Sequence, residues 1–410
     1  MRILYITDYL PFPMISGDRI RNYNLIRRIA RQHQVWLAAP LIKPDQAEGI
    51  LHLQEFCCGV ETAPLQKRSK PTRLLAMLRY GLAGRPWEFE WLYSEELANK
   101  IRQLASTITF DIVQIEHSRM APYLETLPSS TRAKRILVFH NIASLQYKRI
   151  AHVAETRTEK IRAWLHGRIL RWWEPRYAER FDRCITMSEV DRRLLLKANS
   201  RLQASVIPNG VDTQAYRPLP LGSLPPALLF IGSMDYPPCA DAAIYLCHQI
   251  LPHIQRLLGQ VKVWLVGRDP SPKVNRLNNN GVHVTGQVVD VVPYYRRSAV
   301  CVVPLRAGGG TRLKILEAMA LGRPVVSTTI GCEGLDVVDG QHLLIADDPV
   351  QFAEKTVRLL TDKALYHRIA NEARQLVVQK YDWDAIAEQL LDIYSEVTPQ
   401  VVLHNEGLRM

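Results

Sequence analysis

The sequence predicts an α/β protein made of two facing Rossmann-like domains, each a doubly wound parallel sheet. Short β-rich apolar runs alternate with longer stretches of helical periodicity, the pattern of β–α units. The alternation stops in the Pro- and Gly-rich stretch from Pro208 to Pro226 and then begins again. The 410 residues are enough for two domains. A pair of such sheets makes a cleft between the carboxyl ends of their strands, where ligands bind in this class of fold.

In the first half, Ile3–Thr7 reads as the opening strand. Asn22–Arg31 follows as a helix, with Leu25, Ile26, Ile29 and Ala30 at helical spacing. Val35–Ala39 is a second strand, and Ile112–Glu116 and Arg135–Phe139 read as parallel strands buried on both faces. Cys184–Met187 continues the series. Beyond the break, Leu228–Ile231, Val261–Val266, Val282–Thr285, Val300–Pro304 and Pro324–Ser327 are strand candidates. Helices are expected over Asp241–Leu258, Arg312–Leu321, Pro349–Leu360 and, after Tyr381 and Trp383, Asp384–Tyr394.

Charge divides the halves. Lys and Arg number 52 against 40 Asp and Glu, a formal charge of +12. Residues 1–205 hold 33 basic and 20 acidic side chains, and the remainder holds 19 and 20. The excess therefore belongs to the first half and implies an anionic partner there. The seven cysteines form no C-x-x-C pair, which supports neither a disulfide scaffold nor a common zinc spacing. The N-terminal apolar run, stopped by Asp8 and Pro11, is too short for a signal-peptide core. No run approaches the ~18 apolar residues of a membrane span. A cytoplasmic protein is expected.

The densest chemistry lies in Pro304–Ser327, PLRAGGGTRLKILEAMALGRPVVS. A strand ends at Pro304, and Gly308, Gly309 and Gly310 let a ligand approach the backbone before a helix begins. The helix N-terminus offers unpaired N–H groups and a positive dipole end, both suited to a phosphate. Arg306, Arg312 and Lys314 add cations. Glu317, one turn after Lys314, can accept hydroxyl hydrogen bonds of the kind a ribose diol offers. The competing reading is a flexible helix cap: Leu313 stands where a dinucleotide fingerprint needs its third glycine, and there is no Walker A lysine. His140 ends the strand Arg135–Phe139, which is a cleft position, although a lone His is more often a hydrogen-bonded core residue. Asp382-x-Asp384 is better explained as a helix N-cap than as a metal motif.

This segment resembles the donor-site signature of the retaining glycosyltransferases of family 4, the group 1 transferases of the GT-B fold. Ser205–Asp212 (SVIPNGVD), Met187-Ser188-Glu189 with Asp191, Phe230–Tyr236 (FIGSMDY), Leu265–Arg268 (LVGR), Gly331–Leu335 (GCEGL), Asp339-Gly340 and Ser16-Gly17 are similar to further motifs of that family. The layout most resembles sugar transferases of PEP-CTERM exopolysaccharide systems. The resemblance spans nearly the whole chain and is loosest over residues 40–110. It implies a hexosyltransferase of the GT-B fold that acts with retention on a nucleotide diphosphate sugar, without a metal or other cofactor. Its acceptor would be a saccharide or a lipid-linked saccharide. The domains implied are residues 1–205 for the acceptor, 206–380 for the donor, and a tail at 381–410 whose helix packs back on the first domain.

Residue by residue, Glu317 matches the second glutamate of the family's E-x7-E motif, which binds the ribose. Gly309 takes the place of the first. The family's Arg and Lys pair after the first donor-domain strand is replaced by Ser233-Met234-Asp235 and Pro237-Pro238, which moves pyrophosphate binding to Arg306, Arg312 and Lys314. His140 matches a His that contacts the transferred sugar. The catalytic set expected is thus His140, Arg306 and Lys314. Donor contacts are expected from Gly17 in the glycine loop, Ser233 and Arg268 at the donor strand ends, and Gly308, Gly309, Gly310, Thr311, Arg312 and Glu317. Two rivals remain: a non-catalytic binding or scaffold protein on the same fold, and a nucleotide-sugar epimerase, which should not match the GGGTRLKILEAMA loop.

The excess positive charge concentrates in two stretches, Lys67–Arg85 and Arg157–Phe181, where Arg and Lys mix with Trp, Leu, Ile and Tyr at helical spacing interrupted by Pro175. Such helices either lie on an anionic membrane or pack on their own sheet with Arg facing water. The first reading gives peripheral contact with the inner membrane face. Nucleic acid is not expected as a partner, since no helix-turn-helix, zinc finger or aromatic RNA motif is present.

Overall fold

Two parallel sheets organise the chain in the computed structural model, which describes residues 1–41, 47–65, 75, 86, 88–154, 156–220, 226–309 and 312–398. The first sheet holds β1 (Arg2–Ile6), β2 (Gln34–Leu41), β3 (Gly59–Pro64), β4 (Ile112–Glu116), β5 (Lys134–Phe139), β6 (Arg183–Thr186) and β7 (Ala204–Val206), in the order β3-β2-β1-β4-β5-β6-β7. The second holds β8 (Ala227–Ile231), β9 (Lys262–Val266), β10 (Val282–Val284), β11 (Val300–Val303), β12 (Val325–Ser327) and β13 (Leu344–Ile345), in the order β10-β9-β8-β11-β12-β13. Neighbouring strands run parallel throughout. Each order reverses once, between β1 and β4 and between β8 and β11. The crevices outside the carboxyl ends of those strands are the binding positions of a doubly wound sheet.

The strands with clean apolar runs are the ones legible in the sequence, because both of their faces are covered. Ile3, Leu4, Tyr5 and Ile6 of β1 are fully buried. One face packs on the helices Gly17–Ile29 and Trp383–Val397, the other on Glu95–Thr107 and the inner side of Arg157–Ala178. Three strands escape the pattern: β3 carries Gly, Glu and Pro at the sheet edge, β7 has three residues and runs into the start of the SVIPNGVD stretch, and β13 has two residues.

Two helices depart from expectation at prolines. The helix expected over Asp241–Leu258 is split into Pro237–Tyr245 and Leu251–Leu258 by a wide turn at Leu246–Ile250. Pro252 lacks the N–H needed to continue the ladder. Arg157–Ala178, by contrast, runs through Pro175, which sits in its last turn, where few intrahelical bonds remain to be lost. The stretch Lys67–Arg85 falls outside the described residues except for Leu75.

The chain crosses between the halves twice, side by side. Val211 bridges Asp382, and Asp382 caps the last helix by accepting the backbone N–H of Asp384. Trp383, Leu390 and Tyr394 of that helix are buried in the core of the first sheet, so the C-terminal segment returns to the N-terminal half. No helix among the described residues is long and apolar enough to cross a membrane.

Candidate active site

The second sheet brings its chemistry to the switch point between β8 and β11. Strand β11 runs into the glycine loop, and Gly308 adopts φ +117, a backbone region open to glycine. A Cβ there would lie 2.7 Å from Arg312 Nη2. The Arg312 side chain folds back over the loop and donates from Nη1 to the Gly309 carbonyl, while its buried Nε and Nη2 have no partner among the described residues. Burial presses its pKa down, yet a guanidinium stays charged. It is therefore a half-buried cation whose Nε and Nη2 are buried and unused, beside the first turn of the helix Leu313–Ala320.

Lys314, in that first turn, places Nζ 4.7 Å over the Phe230 ring and 4.0 Å from Cys239 Sγ. Among the described residues it forms no ion pair with a carboxylate. Glu317, one turn on, accepts from Tyr295 Oη at 3.3 Å. Burial raises its pKa, against the opposing pull of Tyr295 and Lys314. Ser233 and Arg268 meet at the ends of β8 and β9, with Arg268 Nε 3.2 Å from Ser233 Oγ and its guanidinium 3.7 Å from Asp235.

Arg306 is placed differently from the other expected cations. It turns toward the helix Pro237–Tyr245, donates through Nε at 3.1 Å and Nη2 at 2.5 Å to Asp241, and lies 4.5 Å over the Tyr245 ring. Its charge is already balanced. Gly310 and Thr311 lie outside the described residues.

The first sheet answers across the cleft from its own switch point. Glu116 ends β4 and His117 follows it, Asp8 follows β1, and His140 follows β5. His140 Nε2 sits 2.6 Å from Glu116 Oε2, with both side chains buried. Burial alone would raise the Glu116 carboxyl; the hydrogen bond and charge of His140, with Arg21 and Gln114, outweigh it and leave the pKa lowered. The chain continues inward: Gln114 Nε2 donates to Glu116 Oε1, and Tyr394 Oη donates to Gln114 Oε1, each at 2.6 Å. His117 stacks on His140 at 3.8 Å between ring centroids. Burial, then the neighbouring His140, hold His117 well below the ordinary histidine range.

Asp8 is buried and paired with Arg119; burial nevertheless raises its carboxyl to about 6. Asp8, Asp18 and His117 bring ligand atoms within 4.8 Å of one another, the one such group among the described residues. Arg119 already balances Asp8, and Asp18 accepts the Ser16 hydroxyl, while the buried His117 Nε2 lies 3.6 Å from Asp8 and makes no hydrogen bond among the described residues.

The two halves touch. A Cβ on Gly17 would meet Leu313 Cδ1 at 3.3 Å, and one on Gly309 would meet Asn141 Oδ1 at 3.0 Å. Arg149, from the helix Ala143–Val153 that follows His140, grips Glu333 through both terminal nitrogens and donates to the Gly308 carbonyl at 2.8 Å. Gln146 Nε2 reaches Tyr236 Oη at 2.9 Å. Gly17 thus abuts the first turn of the helix Leu313–Ala320, and Gly309 abuts Asn141, the residue after His140. Sequence reasoning passed over Glu116, His117, Asp8 and Arg149. The first two lie at the carboxyl end of a parallel strand just as His140 does, and that placement was the available signal.

Residues 16–215 match the family model described as Glycosyltransferase Family 4, and residues 225–362 match that described as Glycosyl transferases group 1. A phosphatidyl-myo-inositol mannosyltransferase of Mycobacterium leprae is 28% identical over 241 residues, 56% of this chain and 62% of that protein. The aligned region thus spans under two thirds of this relative. Sucrose-phosphate synthase from Thermosynechococcus elongatus superposes with TM-score 0.72 at 18% identity, covering 97% of this chain and 99% of the other. An Anabaena protein, HepE, solved in complex with UDP and glucose, superposes with TM-score 0.68 at 18% identity, covering 97% and 100%. With one family model on each sheet and the two sheets facing in the GT-B arrangement, the chain belongs to a GT4-like glycosyltransferase family.

Proposed function

We propose that the protein moves a hexose-type sugar from a nucleotide diphosphate sugar to a saccharide or lipid-linked acceptor, with retention, in exopolysaccharide or glycoconjugate synthesis at the cytoplasmic face of a membrane. The observation that carries the reading is Arg312: a half-buried guanidinium with two unused donors, at a sheet switch point, beside Lys314 and a helix N-terminus. A half-buried cation with spare N–H groups suits a diphosphate, whose oxygens can occupy them.

In this reading the bond from the anomeric carbon to the diphosphate oxygen breaks as the acceptor hydroxyl approaches from the same face. The departing phosphate oxygen takes the acceptor proton. Negative charge grows on the diphosphate, and Arg312, Lys314 and the N–H groups of the glycine loop stabilise it. Glu317 holds the ribose, and Tyr295 fixes the Glu317 carboxylate. His140, oriented by Glu116, holds a sugar hydroxyl over the cleft. Arg306, paired with Asp241, is left outside the diphosphate contacts.

The test is calorimetric binding of UDP-, GDP-, ADP- and dTDP-sugars. One donor should bind, and Arg312→Ala should weaken it by about 10- to 100-fold, the loss of a charged hydrogen-bonding group. Glu317→Ala should weaken the nucleoside diphosphate to a similar degree. No binding of any donor would favour a non-catalytic scaffold. NMR of the product's anomeric configuration tests retention.

A further inference from the structure

The helix Arg157–Ala178 shows two unlike faces. Inward, Ala163, His166, Gly167, Leu170, Trp173 and Glu174 are buried. Outward, Ile161 is 58% exposed, Trp164 52%, Leu165 47% and Trp172 53%. These four, with Arg168, recur every three or four residues and form one stripe about 16 Å long. Large apolar side chains clustered in this way mark an interaction surface. Cations line it: Arg157, Lys160, Arg162, Arg168, Arg171 and Arg176 are all exposed. Arg168 lies 5.1 Å over the Trp164 ring and Arg176 4.2 Å over the Trp172 ring. The helix has two acidic residues, and one of them, Glu174, is turned inward.

We infer that this stripe seats the protein on an anionic membrane surface, with the Trp, Leu and Ile side chains in the interface and the surrounding Arg and Lys on lipid phosphates. The inference deepens the proposed function and rests on its lipid-linked acceptor. Charge selects the occupant. A two-fold dimer through this face would set the same cations against each other, whereas an anionic surface satisfies all of them.

The inner face ties the stripe to the cleft. The Glu174 carboxylate accepts Ser118 Oγ at 2.9 Å and the backbone N–H groups of Ala143 at 3.3 Å and Ser144 at 3.2 Å. Those two residues open the helix that follows His140. The membrane-facing stripe is therefore about one helix diameter, ~10 Å, from the start of that segment, within reach of an acceptor whose lipid stays in the bilayer.

Flotation of the full chain with phosphatidylglycerol/phosphatidylcholine vesicles, against phosphatidylcholine alone, tests the inference. Binding should need the anionic lipid and weaken with salt. Trp164→Ala with Trp172→Ala, and separately Arg168→Glu with Arg171→Glu, should each lower the vesicle partition coefficient by about tenfold or more. Circular dichroism and calorimetric binding of the nucleotide sugar should stay as in the unmodified chain. Absence of wild-type flotation, flotation indifferent to both double variants, or self-association abolished by the Trp pair would each overturn it. A chain that binds its donor sugar but does not float loses this surface and keeps the transferase reading; one that floats but binds no donor does the reverse.

Discussion

Partner choice, more than residue type, separates the candidate cations. Arg306 and Arg312 bracket the same glycine loop, yet Arg306 is held by Asp241 while Arg312 keeps Nε and Nη2 unused. Arg306→Ala should therefore weaken donor binding far less than Arg312→Ala, and titrating both variants with one nucleotide sugar checks the order. Asp8 makes a second prediction. Its folded-state carboxyl, at about 6, lies above the unfolded value of 3.8, so the folded protein binds that proton more tightly. The stability from this is fully present below about pH 4 and is lost as pH rises through about 6, a change of about 3 kcal/mol. Urea denaturation at pH 4, 5, 6 and 7 should show the downward slope, and Asp8→Asn should flatten it. An unchanged slope in the variant would assign it to another group. Glu317 and His140 were legible at this scale because a motif and a strand end fix their places. The pairings of Asp8 with Arg119 and of Glu116 with His140 were not, because they join segments far apart in the chain.

One helix shows how unequal neighbouring contacts can be. Thr156 caps Arg157–Ala178 in a capping box with Glu159, exposed to water. Glu174, near its other end, holds the start of the helix after His140 from a buried position. Thr156→Ala should cost about 1 kcal/mol. Glu174→Ala should cost about 2–4 kcal/mol, because three donors lose their acceptor in the interior. Parallel urea melts compare the two, and equal losses would contradict the argument. Helical spacing was readable here before the structure. Which apolar residues face inward was not, since Trp164, Trp172 and Trp173 fit the same periodicity and only packing divides them.

Across the molecule, two devices join the halves. The returning helix Trp383–Val397 buries Trp383 among residues of the first sheet. Trp383→Ala should destabilise the protein by about 3–5 kcal/mol, with the earliest loss in the N-terminal half as seen by hydrogen exchange. The second device is the grip of Arg149 on Glu333 and the Gly308 carbonyl. Glu333→Gln should loosen it and raise the radius of gyration measured by small-angle X-ray scattering, more so at high salt. An unchanged radius would mean that the remaining contacts suffice to hold the cleft closed.

By itself the sequence determined the two β/α halves, the linker, the glycine loop facing a cleft and the uneven charge. Each is a local matter of periodicity, turn chemistry or counting, written in residues that stand close together. Tertiary structure alone decided which arginine keeps unused donors beside the loop and that Glu116 and His117 join His140. It also decided that the cations of Arg157–Ala178 surround an outward apolar stripe. These outcomes depend on which distant groups meet when the sheets close, and Coulomb and hydrogen-bond energies are set by distance in space rather than by separation along the chain.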